Sequence, residues 1–482
     1  MNSHFLLAAA HSGAGKTTVT LGLLRALQRK GYSVQPFKCG PDYIDPIHHR
    51  TAAGRDSINL DRFMMSDDHI RSLYDRYGSN AEIAITEGVM GLFDGARKRE
   101  GSSADIAQLL KLPVILVLNA KAMAYSAAAL LYGLKNFDTT LHVAGVIFNF
   151  VERETHYRLL CEACEDVGIT PLGYLPANDG LRIPARHLGL DTADAETAIS
   201  AAADHIEKHI DLQVLLNATR VDPQDASKAA PSSSSRVSPT AAAPPIASRM
   251  KAAPPATAAP SGRQILIARD EAFHFLYPEN IRRLEEWGQV SYFSPIRDQH
   301  FPCEPDLLYL PGGYPELYLE ALSSNATMLR EINTYAAANG RIIAECGGMM
   351  YLGRNIGDVS GKTWPMAGVL DIATSMQPKK LTLGYRTVRL NGENMRGHEF
   401  HYSQLATTIA DPSPGPPASA TSAPTTAAPT PPAPCPPPAN AEIFNARGEQ
   451  VQTPVFYTPR LIAAYTHFYW GEELGLLKIL LD

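Results

Sequence analysis

The sequence predicts an α/β protein made of two doubly wound domains. Three observations carry that reading. Near-continuous apolar runs of strand length alternate with helix-length segments, the pattern of parallel strands covered on both faces. The alternation starts again after an Ala-, Pro- and Ser-rich stretch, roughly Ala218 to Gly262. Glycine-rich turns follow several strands, at the sheet edge where open α/β sheets bind ligands.

The first strand is FLLAAA, and KTTVTLGLLRALQRKG after it has apolar positions at helical spacing. SVQPFK, AEIAITE, PVILVLNA and HVAGVIFNF continue the strands, with AMAYSAAALLYGLKNF as a helix between the last two. YRLLCEACEDVG reads as a helix. Its Cys161 and Cys164 form a C-x-x-C, but no second Cys or His pair stands at zinc spacing, so ordinary helix residues are expected. Later in the chain QILIARD, DLLYLPGG, RIIAECGG and LIAAYTH are strands, and NATMLREINTYAAANG is a helix ending at Gly340. The expected boundaries are a first domain 1–217, a linker 218–262, and a second domain 263–482 with a Pro/Ala-rich insertion at about 411–440. Neither low-complexity stretch has enough apolar side chains to offset the entropy of ordering it, so both are expected to be flexible or extended.

The 482 residues suffice for two or three substantial cores. Against 43 basic residues stand 49 acidic ones, and no long basic run is present, which argues against nucleic acid or an anionic membrane as partner. No apolar run approaches the roughly 20 residues that span a bilayer, and no signal-type segment is visible, so a cytoplasmic protein is expected. Six cysteines scattered through so long a chain do not make a disulfide framework.

HSGAGKTT supplies the parts of a phosphate-binding loop: Ser12, Gly13, Gly15, Lys16, Thr17 and Thr18, between the first strand and the first helix. Such a loop presents backbone N–H groups to phosphate oxygens, while Lys adds charge and Ser/Thr ligates Mg²⁺. Ala10 replaces the usual first glycine at a strand end that needs no glycine-only conformation. ATP with Mg²⁺ is the expected ligand, on a P-loop NTPase-type parallel sheet. KCGPDYIDP places Lys38, Asp42 and Asp45 after the second strand, and AITEGVMGLFDG ends a strand with Glu87. Carboxylates there hold Mg²⁺ through one or two direct contacts, which makes Thr17, Asp45 and Glu87 the candidate ligands. Any one of Asp42, Asp45 and Glu87 would also suit plain loop capping. Asn149, ending GVIFN, suits adenine recognition and strand termination equally.

RIIAECGGMMYLG puts Cys346 in a sharp strand-to-helix turn that exposes a nucleophile and aims a helix dipole at it, which should favour thiolate. Gly312 and Gly313 in YLPGGYPE, together with Gly347, offer backbone N–H groups to an oxyanion, and AAYTHFYW places His467 after the last strand. The set suggests acyl transfer through a thioester. RGHEFHYS holds His398 and His401 without an evident third ligand, so a structural or substrate-contact role is expected there.

In chain order SGAGKTT, PFKCGPDYIDP, NLDRFM, EGVMGLFDG, GVIFN, PARHLGL, DEAFHFLYPEN, LPGGYPELY, AECGGMMYLG and RGHEFHYS resemble the motifs of the cobyrinic acid a,c-diamide synthases of cobalamin biosynthesis. The resemblance covers all but the two low-complexity stretches. It implies a dethiobiotin-synthetase-like domain that binds Mg·ATP, followed by a flavodoxin-like class I glutamine amidotransferase domain. Cys346 would attack the glutamine side-chain amide, with His467 as its base. The released ammonia would displace phosphate from an acyl phosphate of the substrate, once on each of the a and c side chains. The implied partners are cobyrinic acid, L-glutamine and ATP, and a homodimer is the expected assembly. Hydrogenobyrinic acid and Ni-sirohydrochlorin stay open as substrates, and a P-loop regulatory ATPase is the reading from another class. His467 is followed by Phe468 and Tyr469 instead of completing the H-x-E of many class I amidotransferases, so the third triad member stays unassigned.

Overall fold

The computed structural model describes residues 2–178, 181, 192–220, 262–406, 441–475 and 477–481. The expected linker (apart from 218–220 and 262), the 411–440 insertion with Cys435, and PARHLGL (184–190) lie outside the described residues.

Alternate side chains of the first strand enter different cores: Leu6 and Ala8 one, Phe5 and Leu7 the other. A strand with two buried faces needs neighbours and cover on both, and the fold provides them. Seven parallel strands lie in the order β3-β2-β4-β1-β5-β6-β7. They are β1 Ser3–Ala9, β2 Val34–Cys39, β3 Ile58–Leu60, β4 Ile83–Glu87, β5 Val114–Asn119, β6 Val143–Asn149 and β7 Pro171–Leu175. Helices α1 Lys16–Arg29, α2 Ile44–Ala53, α7 Thr192–His209 and α8 Leu212–Ala218 pack on one face. The other face carries α3 Asp67–Gly78, α4 Ser103–Leu110, α5 Ala127–Asn136 and α6 Glu154–Val167. All five expected strands are present, while β3 and β7 are additions. On α6, Cys161 is half-buried and Cys164 buried, both free, as the helix reading expects. No described helix is long and apolar enough to cross a membrane.

The second domain has a six-stranded sheet ordered β19-β20-β11-β10-β8-β9. Strands β8 Gln264–Ala268, β9 Gln289–Phe293, β10 Leu307–Leu310, β11 Arg341–Glu345 and β20 Leu461–Ala464 are parallel, and β19 Val455–Thr458 runs antiparallel at the edge. Its helices are α9 Pro278–Glu285, α10 Leu319–Ser324, α11 Ala326–Ala337, α12 Gly347–Leu352 and α13 Leu477–Leu481. Two further four-stranded sheets were not anticipated. One joins β12 Asn355–Gly357, β13 Thr363–Pro365, β14 Ala373–Ser375 and β17 Gln404–Leu405. The other joins β15 Thr382–Leu390, β16 Glu393–His401, β18 Glu442–Phe444 and β21 His467–Phe468. LIAAYTH is therefore not one strand. It leaves the large sheet at Ala464, whose carbonyl accepts the Cys346 N–H at 2.7 Å, and His467 pairs with His398 in the small sheet.

The domains share a core. Phe275, Tyr277 and Tyr469 of the second domain pack with Leu60, Met64 and Met65 of the first. Polar contacts rim this seam: the Tyr277 hydroxyl donates to that of Tyr43 at 2.7 Å, and Tyr385 donates to Asp61 at 2.6 Å. Glu279 at the start of α9 accepts from Arg76 at 3.0 Å and from Tyr77 at 2.6 Å.

Candidate active site

Gly15 closes the phosphate loop at φ 91, a left-handed conformation that favours glycine, and α1 begins at Lys16. Space imposes the same choice, because a Cβ on Gly15 would sit 2.1 Å from Asn149 Nδ2. That amide donates to Ala14 O at 3.0 Å, and its oxygen accepts from Phe150 N–H at 3.0 Å. Asn149 thus braces the loop from behind, a contact the adenine expectation did not foresee.

Behind the loop lies a buried charged cluster. Thr17 Oγ1 donates to Glu87 Oε1 at 2.7 Å, and His49 Nε2 lies 2.7 Å from Glu87 Oε2. Lys38 Nζ stands 2.5 Å from Asp45 Oδ2 and 3.2 Å from Glu87 Oε1. Lys16 Nζ donates to Met90 O at 2.6 Å, which holds the phosphate-loop lysine toward the turn after β4. Burial alone would raise the Glu87 pKa, but Lys38 and His49 outweigh it and hold the carboxyl well below the usual range. Burial pushes Asp45 up to about 6 against the pull of Lys38. Asp42 Oδ1 accepts from the N–H groups of Ile44 and Asp45 at 2.9 and 3.1 Å and so fastens the start of α2. Thr17 and the ionised Glu87 offer hard oxygen donors of the kind Mg²⁺ prefers, with Asp45 joined to them through Lys38. No group of three or more His, Cys, Asp or Glu gathers as a metal site among the described residues, so most of an octahedral shell would fall to phosphate and water. His49 escaped the sequence reading because nothing in IDPIHHRT signals a partner 38 residues away.

Cys346 links β11 to α12 at φ 46 and ψ −103, a strained turn for a residue with a Cβ. It is 3% exposed, and its sulfur lies 3.9 Å from Phe400 O. A Cβ on Gly347 would come within 3.2 Å of Gly313 N, so the two expected oxyanion glycines adjoin. His467 covers Gly312, where an added Cβ would meet its Cε1 at 2.0 Å. Its ring centroid is 4.7 Å from that of Tyr43 and 5.7 Å from that of Phe275. Both ring nitrogens are buried without a hydrogen-bond partner among the described residues, Cys346 included. Burial, aided by His398 and His401, pulls the His467 pKa down to about 3 and keeps the imidazole neutral. The thiolate expectation needs correction for this closed pocket. Burial pushes the Cys346 pKa well above its usual value, Glu316 adds to this, and the Gly347 N–H offsets only part. The field of a six-residue helix does not outweigh that desolvation.

Glu345, one residue before Cys346, was also missed. Burial raises its carboxyl pKa to about 8, and it accepts from Tyr309 at 2.8 Å and from Phe468 N–H at 3.0 Å. Through Phe468 it fixes the strand that carries His467. His401 stacks on Tyr465 at 3.8 Å with Nδ1 2.8 Å from Ser403 O, while burial pulls His398 down to about 3. Among the described residues neither joins a group of three or more His, Cys, Asp or Glu.

Residues 5–190 match the CobQ/CobB/MinD/ParA nucleotide binding domain, and residues 264–418 match the CobB/CobQ-like glutamine amidotransferase domain. A hydrogenobyrinate a,c-diamide synthase of Brucella anthropi is 41% identical, covering 83% of this chain and 89% of its own. A cobyrinate a,c-diamide synthase of Caldanaerobacter subterraneus is 39% identical over 83% and 86%. One from Syntrophotalea carbinolica is 41% identical over 99% of this chain and 97% of its own. A solved chloroplast FtsY of Physcomitrella patens overlaps at TM-score 0.28 and 12% identity, over 42% of this chain and 65% of that one, too little to bear on the fold. With a nucleotide-binding domain followed by a glutamine amidotransferase domain, and about 40% identity to these relatives along most of its length, the chain belongs to the family of cobyrinate and hydrogenobyrinate a,c-diamide synthases.

Proposed function

We propose that the protein amidates the a and c carboxylates of cobyrinic acid, consuming ATP and glutamine. The observation that carries this reading is Tyr43. It lies between Asp42 and Asp45 of the phosphate site, and its ring touches His467 of the cysteine site, so two chemistries share one wall. ATP phosphates rest on the N–H groups of Gly13 to Thr18 and on Lys16, with Ser12 leading into the loop. A carboxylate is a poor acyl donor because its oxygen leaves badly, whereas an acyl phosphate releases phosphate readily. Thr17 and Glu87, with Asp45 behind them, would hold Mg²⁺, which when bound would screen the phosphates from the attacking carboxylate. Lys38 neutralises the carboxylate pair that would otherwise repel the substrate.

In the second domain the Cys346 sulfur attacks the glutamine amide carbon, while Gly313 and Gly347 N–H groups hold the oxyanion. His467, neutral and beside Gly312, is the base. Ammonia leaves, and water hydrolyses the thioester to glutamate. The ammonia then displaces phosphate from the acyl phosphate to give the amide. A cytoplasmic setting, where ATP and glutamine are made, goes with this chemistry. The test is incubation with Mg·ATP, glutamine and cobyrinic acid, hydrogenobyrinic acid or Ni-sirohydrochlorin in turn, with amidations counted by mass. Two amidations of cobyrinic acid are expected. Intact ATP and glutamine hydrolysis with no tetrapyrrole amidated would sink the reading. Hydrogenobyrinic acid is the second reading, favoured by the Brucella relative's name.

A further inference from the structure

We infer that the cleft between the two domains seats the tetrapyrrole, and that the amidotransferase domain supplies the groups that hold its peripheral carboxylates. This rests on the amidation proposed above and adds to it a place and a set of contacts. The cleft encloses about 610 Å³. One wall is the Asp42–Ile44 turn with Val89 and Met90, and the other comes from β15, β16 and residues 445–451.

Position is the first argument. Met90 gives its carbonyl to Lys16, and Asp42 fastens the helix bearing Asp45, so a ligand in the cleft lies against the phosphate site. Polarity is the second. Met90 is 45% exposed and Leu383 57% exposed, and both line the cleft beside Tyr43, Tyr385 and Phe400. Such walls suit a ligand with broad apolar faces. Charge is the third. Arg386 is nine-tenths buried, and its Nε has no partner among the described residues, although Glu399 lies 2.9 Å from Nη2. His398, equally buried on the same wall, has an unpartnered Nδ1, and Arg447 lines the cleft while exposed. Two acids line the cleft: Glu449 is tied to Asn445 at 2.7 Å, and Asp42 accepts from the Ile44 and Asp45 N–H groups. Guanidinium groups recognise carboxylates through paired N–H donors. A macrocycle with apolar faces and a carboxylated rim matches all three features: one carboxylate meets the phosphate site while others reach Arg386 and Arg447. ATP does not compete for this place, because its phosphates belong to the loop.

Kinetics on the full-length enzyme test this. Arg447→Ala and Leu383→Asp should each raise KM for cobyrinic acid about tenfold, the worth of one charge-assisted hydrogen bond, with KM for ATP and glutamine within about twofold. Arg263→Ala removes the same charge outside the cleft, where the guanidinium lies over Trp287, and should leave the cobyrinic acid KM unchanged. Equilibrium dialysis of cobyrinic acid, read by macrocycle absorbance, should show the same ranking. An enzyme that still amidates cobyrinic acid with wild-type KM in Arg447→Ala overturns the cleft assignment and leaves the proposed reaction standing. A wild-type enzyme that amidates no tetrapyrrole overturns the proposed reaction itself. If Leu383→Asp does not fold, Arg447→Ala decides alone.

Discussion

Cys346→Ala removes the sulfur proposed to carry the glutamyl group, so glutamine-dependent amidation should vanish while amidation fed with ammonium salts persists. Lys16→Ala should do the converse. Loss of its charge at the phosphates is expected to lower ATP-dependent amidation by about 10²-fold or more, with glutamine hydrolysis still measurable as glutamate release. Glu345 offers a pH signature. A free glutamate ionises near 4.5, and burial holds Glu345 protonated up to about 8. Between those values the folded chain binds more protons than the unfolded one. The stability from this group is therefore fully present below about 4.5 and is lost as pH rises through about 8. Thermal unfolding midpoints should fall from pH 5 to pH 8, and Glu345→Gln should fall less.

Among the elements, the glycine loop after β10 is tightly constrained. Gly312→Ala would drive a methyl to within 2.0 Å of His467 Cε1, so the ring must move. A displacement of about 1 Å at a catalytic group costs on the order of 10²-fold. Glutamine-dependent amidation should fall by that factor, with ammonia-dependent amidation little changed. Elements of this kind were legible because local rules set them: β1, the loop and α1 combine an apolar strand, glycines at positive φ and helical spacing. Residues β15 and β16 obeyed no such rule. Their alternation is broken by Gly384 and Gly397, and Arg386 and Glu399 are buried as an ion pair, so polarity in the sequence misreports exposure. Strand β3 has three residues, and β7 starts at Pro171 and contains Gly173, which weakens any strand signal. Within the candidate site, Cys346, His467 and the phosphate loop stood out in the sequence because they sit in motifs at strand ends. His49 and Glu345 were not, because their partners come from distant elements.

At the scale of the whole molecule, the proposed reaction requires ammonia made at one site to reach the other, and the two candidate sites meet at the domain seam. Glu279 is 1% exposed and binds Arg76 and Tyr77 across that seam. Glu279→Ala should cost about 1–2 kcal/mol, discounted from the fully buried case because Arg76 reaches solvent. Glutamate released per amide formed should then rise above one, as ammonia escapes through the loosened joint. The aromatic residues Phe275, Tyr277 and Tyr469 carry a different consequence. Since they complete the first domain's core, each half alone would present water with an apolar surface that only the other half fits. A chain cut within 221–261 and produced as two fragments should reassemble without a peptide bond between them, as an enzyme and its obligate subunit, and regain glutamine-dependent synthesis on mixing.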